Sequence, residues 1–197
     1  MRRLILIIGG ARSGKSDFAL SLAKDISSGG DVLFVATARA LDDEMKERIE
    51  AHKASRPASW TTLEEPMAVG EALQKVSLPE VVVIDCITML VSNLLLAGKE
   101  GEPFDAAMSR LKTELESLLD AYRRSDSTWI IVTNEVGLGV VPAYRLGRLY
   151  RDMLGHANKI LADEADSVLL MVAGIPVDVK RIRWDYDRPG GNAGRPG

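Results

Sequence analysis

The amino-acid sequence predicts an α/β protein built on a mostly parallel sheet flanked by helices. Two observations carry this expectation. Short apolar runs alternate with helical patterns along the chain, the order that lays helices over a parallel sheet. The stretch "GGARSGKS", Gly9 to Ser16, also fits the phosphate-loop pattern G-x-x-x-x-G-K-[ST], and it joins the first strand-like run to the first helical one.

The elements follow in order. "LILII" (Leu4 to Ile8) is a continuous apolar run, the pattern of a strand buried on both faces. In the next segment Phe18, Leu22 and Ile26 stand four apart, on one helical face. Further strands are expected at "VLFVATA" (Val32 to Ala38), "VVVID" (Val81 to Asp85), "WIIVTN" (Trp129 to Asn134) and "SVLLMVAG" (Ser167 to Gly174). "PVDVKRI" reads as one more, antiparallel at an edge. Helices are expected at Lys15 to Ser27, Asp43 to Ala54, Pro66 to Val76, Thr88 to Leu96, Phe104 to Arg124 and Tyr144 to Glu164. Residues 1–180 are read as one nucleotide-binding and catalytic domain. Residues 181–197 are read as a tail, partly disordered because "RPGGNAGRPG" has no apolar stripe to bury. In such sheets ligands bind at the carboxyl ends of the strands.

Composition narrows the function. The formal net charge of -3 gives no bulk attraction to nucleic acid or an anionic membrane. A single cysteine, Cys86, leaves no intrachain disulfide and no Cys-based zinc site. Arg2 and Arg3 precede an apolar stretch, but it is short and runs straight into the phosphate loop, so it does not read as a signal peptide. No run is long enough to span a bilayer. The expectation is a cytoplasmic enzyme without a nucleic-acid partner or a transmembrane segment.

The loop supplies its own chemistry. Backbone N–H groups at a strand-to-helix junction, aided by the helix dipole, favour an anion. Gly9 and Gly14 permit the backbone angles and close approach, with Gly10, Ala11, Arg12 and Ser13 completing the cradle. Lys15 brings a positive charge to the β- and γ-phosphates, and Ser16 offers a hydroxyl to Mg²⁺. Asp85 ends an apolar strand in a carboxylate, the form of a second Mg²⁺-binding element, although Asp is also a good helix cap. His52 follows Leu41, Met45 and Ile49 on one helical stripe, near a helix end enforced by Pro57. Spacing alone favours a semi-buried structural role for it. His156 reads as a packing or interface residue. Glu135, in "TNEVG", could be a base, a metal-shell ligand or a cap.

A resemblance decides among these readings. "GGARSGKS", "VATA", "DDEMKERIEAHKASRPASWTTLEEP", "VVVIDCITMLVSNLL" and "VTNEVGLGVVPAYRLGRLYRDMLGHANKILADEADSVLLMVAGIPVDVK" resemble the bifunctional adenosylcobinamide kinase/adenosylcobinamide-phosphate guanylyltransferase family of adenosylcobalamin biosynthesis. The resemblance runs from about Arg3 to Lys180, with "RIEAHKASRP" and "TNEVGLGVVP" its most distinctive parts. It implies a P-loop nucleoside triphosphate hydrolase fold with a RecA-like sheet, assembled as a trimer. It implies phosphorylation of adenosylcobinamide at its aminopropanol hydroxyl, then transfer of GMP from GTP to adenosylcobinamide-phosphate through a GMP-histidine intermediate. The matching histidine is His52. Implied nucleotide contacts are Gly9 to Ser16, Val35, Ala36 and Thr37 or a residue beyond, Lys53, Ala54, Ser55, Arg56, Glu64 and Asp85. Mg²⁺ is the expected cofactor, held by Ser16 and Asp85, and GTP, with ATP as a further candidate, the co-substrate. Lys159 stands where many members have Gln, and Asp85 where some have Glu. Two alternatives remain at this point: a P-loop small-molecule kinase without guanylyl transfer, and a nucleotide-binding regulatory switch.

Overall fold

The first apolar run forms an interior strand of the sheet, paired on both sides. The computed structural model describes residues 2–39, 46, 47, 50, 53, 56–99 and 101–184. Its elements are β1 (Arg3–Gly9), α1 (Lys15–Ser27), β2 (Val32–Ala36), β3 (Thr61–Glu64), α2 (Val69–Gln74), β4 (Val81–Asp85), α3 (Ile87–Leu96), α4 (Phe104–Arg123), β5 (Thr128–Asn134), α5 (Arg145–Glu164), β6 (Ser167–Val172) and β7 (Ile175–Asp178). The strands lie in the order β3-β2-β4-β5-β1-β6-β7. All neighbours are parallel except β6 and β7. This is the expected P-loop α/β architecture, with the edge hairpin where "PVDVKRI" suggested it.

The alternation of side chains sorts the sheet into two cores. Leu4, Leu6, Val82, Ile84, Trp129 and Ile131 face one side, where α3, α4 and α5 cover them with Leu90, Leu111, Leu118, Leu154 and Leu161. Ile5, Ile7, Phe34, Val83, Ile130 and Val132 face the other, packing on Ala19, Leu20 and Ala23 of α1. The entry of β1 is fixed by Asp166, whose carboxylate accepts from the Leu4 N–H at 2.7 Å while its own N–H donates to the Leu4 carbonyl at 2.8 Å.

Several boundaries differ from expectation, each for a local reason. "VLFVATA" leaves the ladder after Ala36 because the Thr37 hydroxyl is engaged by Cys86 across the strand ends. The helix expected from Pro66 starts at Val69, because the Glu65 carboxylate accepts from the N–H groups of Met67 and Ala68 and closes a turn first. β6 ends at Val172, where Ala173 and Gly174 take positive φ and turn the chain into β7, as tight hairpins require. β3 was not foreseen, since "TTLE" is short and largely polar; among the described residues it is an edge strand paired only to β2. The helix expected over Asp43 to Ala54 falls mostly outside the described residues, of which Lys46, Glu47, Glu50 and Lys53 are helical. Most of the expected tail also lies outside them.

One buried acid joins two helices. Glu114 of α4 accepts from the N–H of Gly70 at 2.9 Å and from that of Val69, at the start of α2. Burial raises its pKa to about 7, the two amides opposing the shift. A carboxyl whose folded pKa lies above its unfolded value stabilises the fold below the unfolded pKa, and that contribution is lost as pH rises through the folded one. The window is therefore about 4.5 to 7. Glu114→Gln keeps an acceptor without the charge. Its stability relative to the parent, read from urea unfolding, should rise between pH 5 and pH 8; a difference independent of pH would contradict this reading.

Candidate functional site

The phosphate loop is shaped by its two flanking strands. Gly9, the last residue of β1, pairs with Asn134 of β5 on one side and Met171 of β6 on the other. A Cβ at Gly9 would stand 2.6 Å from the Met171 carbonyl oxygen, so a side chain there would push the loop off the sheet. Gly14 caps α1 with φ 86, a left-handed conformation that favours glycine. The hairpin turn supports the loop from outside through the Gly174 N–H, which donates to the Ser13 carbonyl at 3.0 Å.

Lys15 follows that cap and is buried. Its ammonium folds back over the loop, donating to the Gly10 carbonyl at 2.5 Å and lying 3.4 Å from the Ser13 hydroxyl. Desolvation holds its pKa below the ordinary lysine value, against the opposing pull of Cys86 and Asp85. A partly dehydrated ammonium beside loop amides gains more from a phosphate than an exposed one would, because little water remains to be displaced.

A cleft of about 510 Å³ opens at these strand ends. One wall is the loop, from Ala11 to Asp17. Another is formed by alternate residues of β2, Phe34 and Ala36, continued by Ala38. Asp85, Cys86, Thr88 and Met89 form the floor, with Val132 and Asn134 beside them. The outer rim carries Lys46, Glu50, Lys53, Arg56 and Glu64. The strand register explains the convergence: Ala36 pairs with both Glu64 and Asp85, and Asp85 with Val132.

The rim is a charge network. The Lys53 ammonium lies 2.7 Å from Glu64 and 3.3 Å from Glu50, and these hydrogen bonds, Glu64 first, raise its pKa. Arg56 stacks its guanidinium on the Phe34 ring, 3.7 Å from the centroid, and donates from Nη1 to Thr62 at 3.1 Å. Among the described residues its Nε is buried without a hydrogen-bond partner. Desolvation lowers the Arg56 pKa while Asp85 and Glu64 oppose the shift. The guanidinium lines the cleft, where its charge suits an anionic oxygen.

The expected site residues thus divide. Ala11 to Ser16, Ala36, Lys53, Arg56, Glu64 and Asp85 line one cleft. Gly9 and Gly10 shape the loop without lining it. Val35 and Thr37 turn their side chains away from the cleft by strand alternation, so any contact they make with a nucleotide would come from their backbone. Val35 lies in the larger core. Thr37 is fully buried and acts as a clasp: its hydroxyl donates to the Cys86 carbonyl at 2.7 Å and accepts the Cys86 N–H at 2.9 Å, while Asn93 donates to its carbonyl at 2.9 Å. His52, Ala54 and Ser55 lie outside the described residues. Glu135 caps a turn, its carboxylate accepting from the Gly137 N–H. His156 is exposed, its Nδ1 2.9 Å from the Asp152 carbonyl and its ring edge-on to Phe104. Sequence reading passed over Asn134, Thr88 and Phe34. The signal for Asn134 was present, since "WIIVTN" ends a buried strand in a polar residue just as "VVVID" does.

Ser16 and Asp85 fit a hard, oxygen-seeking cation bound together with phosphates. Among the described residues no group of three or more His, Cys, Asp or Glu side chains could hold a metal ion. A Mg²⁺ ion here would need phosphate oxygens to complete its shell.

The model of the family described as cobinamide kinase / cobinamide phosphate guanyltransferase matches residues 5–179. This chain belongs to that family. It is 42% identical over 183 residues to the bifunctional adenosylcobalamin biosynthesis protein CobU of Escherichia coli (strain K12), covering 90% of this chain and 99% of that protein. It is 43% identical over the same length to CobU of Salmonella typhimurium, with the same coverage. It is 42% identical over 176 residues to CobP of Pseudomonas aeruginosa, covering 89% of this chain and 96% of that one. Membership of the cobinamide kinase/guanyltransferase family makes the chain a transferase with a nucleotide co-substrate and leaves little room for a regulatory switch. No helix among the described residues is long and apolar enough to cross a membrane.

The clasp yields a prediction. Thr37→Val keeps the volume but leaves the buried Cys86 N–H without its acceptor, while the Cys86 carbonyl keeps the Leu90 N–H. It should cost about 1–3 kcal/mol of stability, the usual penalty for stranded buried polar groups. Chemical denaturation measures this; parent-like stability would show that the clasp is dispensable.

Proposed function

We propose that this one cleft carries out both transfers of the family: phosphorylation of adenosylcobinamide, and guanylylation of the resulting phosphate. The observation that carries the reading is the convergence of the loop, Lys15, Asp85 and Arg56 on a single cleft, in a chain that aligns over nine-tenths of its length with bifunctional relatives.

In the kinase step the aminopropanol oxygen attacks the γ-phosphorus of the nucleoside triphosphate. The bond to the β-bridging oxygen breaks, the nucleoside diphosphate leaves with its electron pair, and the hydroxyl proton is released. Such transfers need positioning and charge neutralisation more than covalent help. The loop amides and Lys15 provide both. Ser16 and Asp85 would hold Mg²⁺, which supplies further neutralisation of phosphate charge when bound.

In the second reaction a neutral imidazole nitrogen of His52 attacks the α-phosphorus of GTP and pyrophosphate leaves. A phosphate oxygen of adenosylcobinamide-phosphate then attacks the same phosphorus, the N–P bond breaks, and the imidazole is released. A histidine nucleophile divides one difficult displacement into two easier ones. Lys15 and Arg56 are suited to the charge that builds on the departing pyrophosphate.

We read the exposed apolar segment after β5 as the surface that a homo-oligomer, expected to be a trimer, would cover. Leu138 and Val140 are 89% and 94% exposed. Contiguous apolar exposure of this kind marks interaction surfaces.

Three variants test the reading. Lys15→Ala should depress both activities, by about a hundredfold or more if charge at the transferring phosphate is the main contribution. His52→Ala should abolish guanylyl transfer and leave the kinase step largely intact. Loss of only one activity in Lys15→Ala would separate the two sites. Unchanged guanylyl transfer in His52→Ala would move the nucleophile elsewhere. Asp85→Asn should raise the Mg²⁺ concentration needed for half-maximal turnover; an unchanged Mg²⁺ titration would remove Asp85 from the metal site.

A further inference from the structure

A buried polar chain runs through the sheet beneath the cleft, and no role described so far uses it. Thr133 of β5 is fully buried and donates to the Asn158 carboxamide oxygen of α5 at 2.7 Å. The Asn158 Nδ2 donates in turn to the Asn134 carbonyl at 3.0 Å. The Asn134 N–H donates to the Thr88 hydroxyl of α3 at 2.8 Å. Both backbone groups of Asn134 are thus tied down by side chains from two helices. Asn158 and Thr88 are themselves buried, so these bonds form where little water competes.

What this fastening leaves over is the Asn134 carboxamide. Alternation puts it on the same face of β5 as Val132, which is the face of α1 and the loop. Among the described residues it has no hydrogen-bond partner, and it lines the cleft. Its strand position is level with Gly9, where the loop begins. A polar side chain at the end of a buried strand, with its backbone clamped and its amide unused, is prepared to bind something in that cleft.

We propose that the Asn134 carboxamide donates to the terminal phosphoryl group of a nucleoside triphosphate held by the loop, and that Asn158 is the positioning residue that holds Asn134 in place for it. The proposal rests on the reading of the loop as a triphosphate cradle. A neutral donor suits this task beside Lys15 and Asp85, since it adds a directed hydrogen bond without changing the charge balance. It also distinguishes a triphosphate from a diphosphate, because the group it contacts is the one that GDP lacks.

The test is a comparison of affinities in the full-length protein. The probes are GTP and GDP analogues with a methylene in place of the α,β-bridging oxygen, which cannot lose their terminal phosphates to a nucleophile at the α-phosphorus. Calorimetry gives both affinities for the parent, Asn134→Ala, Asn158→Ala and the double variant. Asn134→Ala leaves the backbone bonds of residue 134 intact and is expected to fold. It should weaken the GTP analogue about ten- to hundredfold, the range for a hydrogen bond to a charged group, and leave the GDP analogue unchanged. Asn158→Ala should reduce the GTP-to-GDP preference in the same direction, and the double variant should lose no more preference than Asn134→Ala alone, because Asn158 acts through Asn134. A purely structural Asn158 would lower stability without moving the preference. If Asn158→Ala is insoluble, Thr133→Val, which removes the bond orienting the Asn158 carboxamide, takes its place in the cycle. An unchanged preference in Asn134→Ala, or equal loss for both analogues, overturns the proposal. Lys15→Ala serves as the separate control: parent-like affinity for both analogues in that variant would overturn the cradle reading itself.

Discussion

The active end of the molecule depends on the register of β1 between β5 and β6. The loop can meet a phosphate only if Gly9 reaches the sheet edge level with Asn134 and Met171, and the parallel ladders on both sides impose that level. The constraint propagates. Asp85 reaches the cleft because β4 is in register with β5 and β2, and Glu64 because β3 is in register with β2. A one-residue slip in any of these strands would turn the functional side chains to the other face. Large apolar side chains on both faces, Leu4, Leu6 and Ile7 among them, make such a slip costly.

Apolar packing fixes the register but not the local path of the chain where the strands stop. Buried polar groups take over there. Thr37, Thr88, Asn93, Thr133 and Asn158 are all buried, and all bond across the strand ends or to the helices that follow them. In a low-dielectric setting each is costly if unpaired and directional if paired, so together they specify one geometry. The cleft is therefore a rigid floor carried by strand ends. Above it stands a rim of exchangeable ion pairs, Lys53 with Glu50 and Glu64. The floor suits the invariant part of two reactions, a polyphosphate.

Much of this was legible in the sequence, and the physical reasons are specific. Continuous apolar runs reported buried parallel strands, and the loop motif reported its own position and placed Lys15 in the cleft. Asp85 was legible because a carboxylate at the end of such a run is conspicuous. Asn134 is the same signal in a neutral residue and passed unread. β3 was missed because an edge strand needs little hydrophobicity. Of Val35, Ala36 and Thr37, strand alternation sends only the Ala36 side chain to the cleft, a distinction that assigning them as a block does not make. The stacking of Arg56 on Phe34 joins positions far apart in sequence, and no local pattern announces it.

The account stands on one claim, that a single loop-bound nucleotide is attacked at two different phosphorus atoms and that His52 is the nucleophile at one of them. The most direct measurement is incubation of the protein with GTP labelled at the α-phosphate, followed by mapping of the modified peptide. The account predicts one adduct, on His52, labile in acid and stable in alkali as a phosphoramidate is, and absent when Lys15 is replaced by alanine. An adduct on another residue, or full labelling without Lys15, would contradict it.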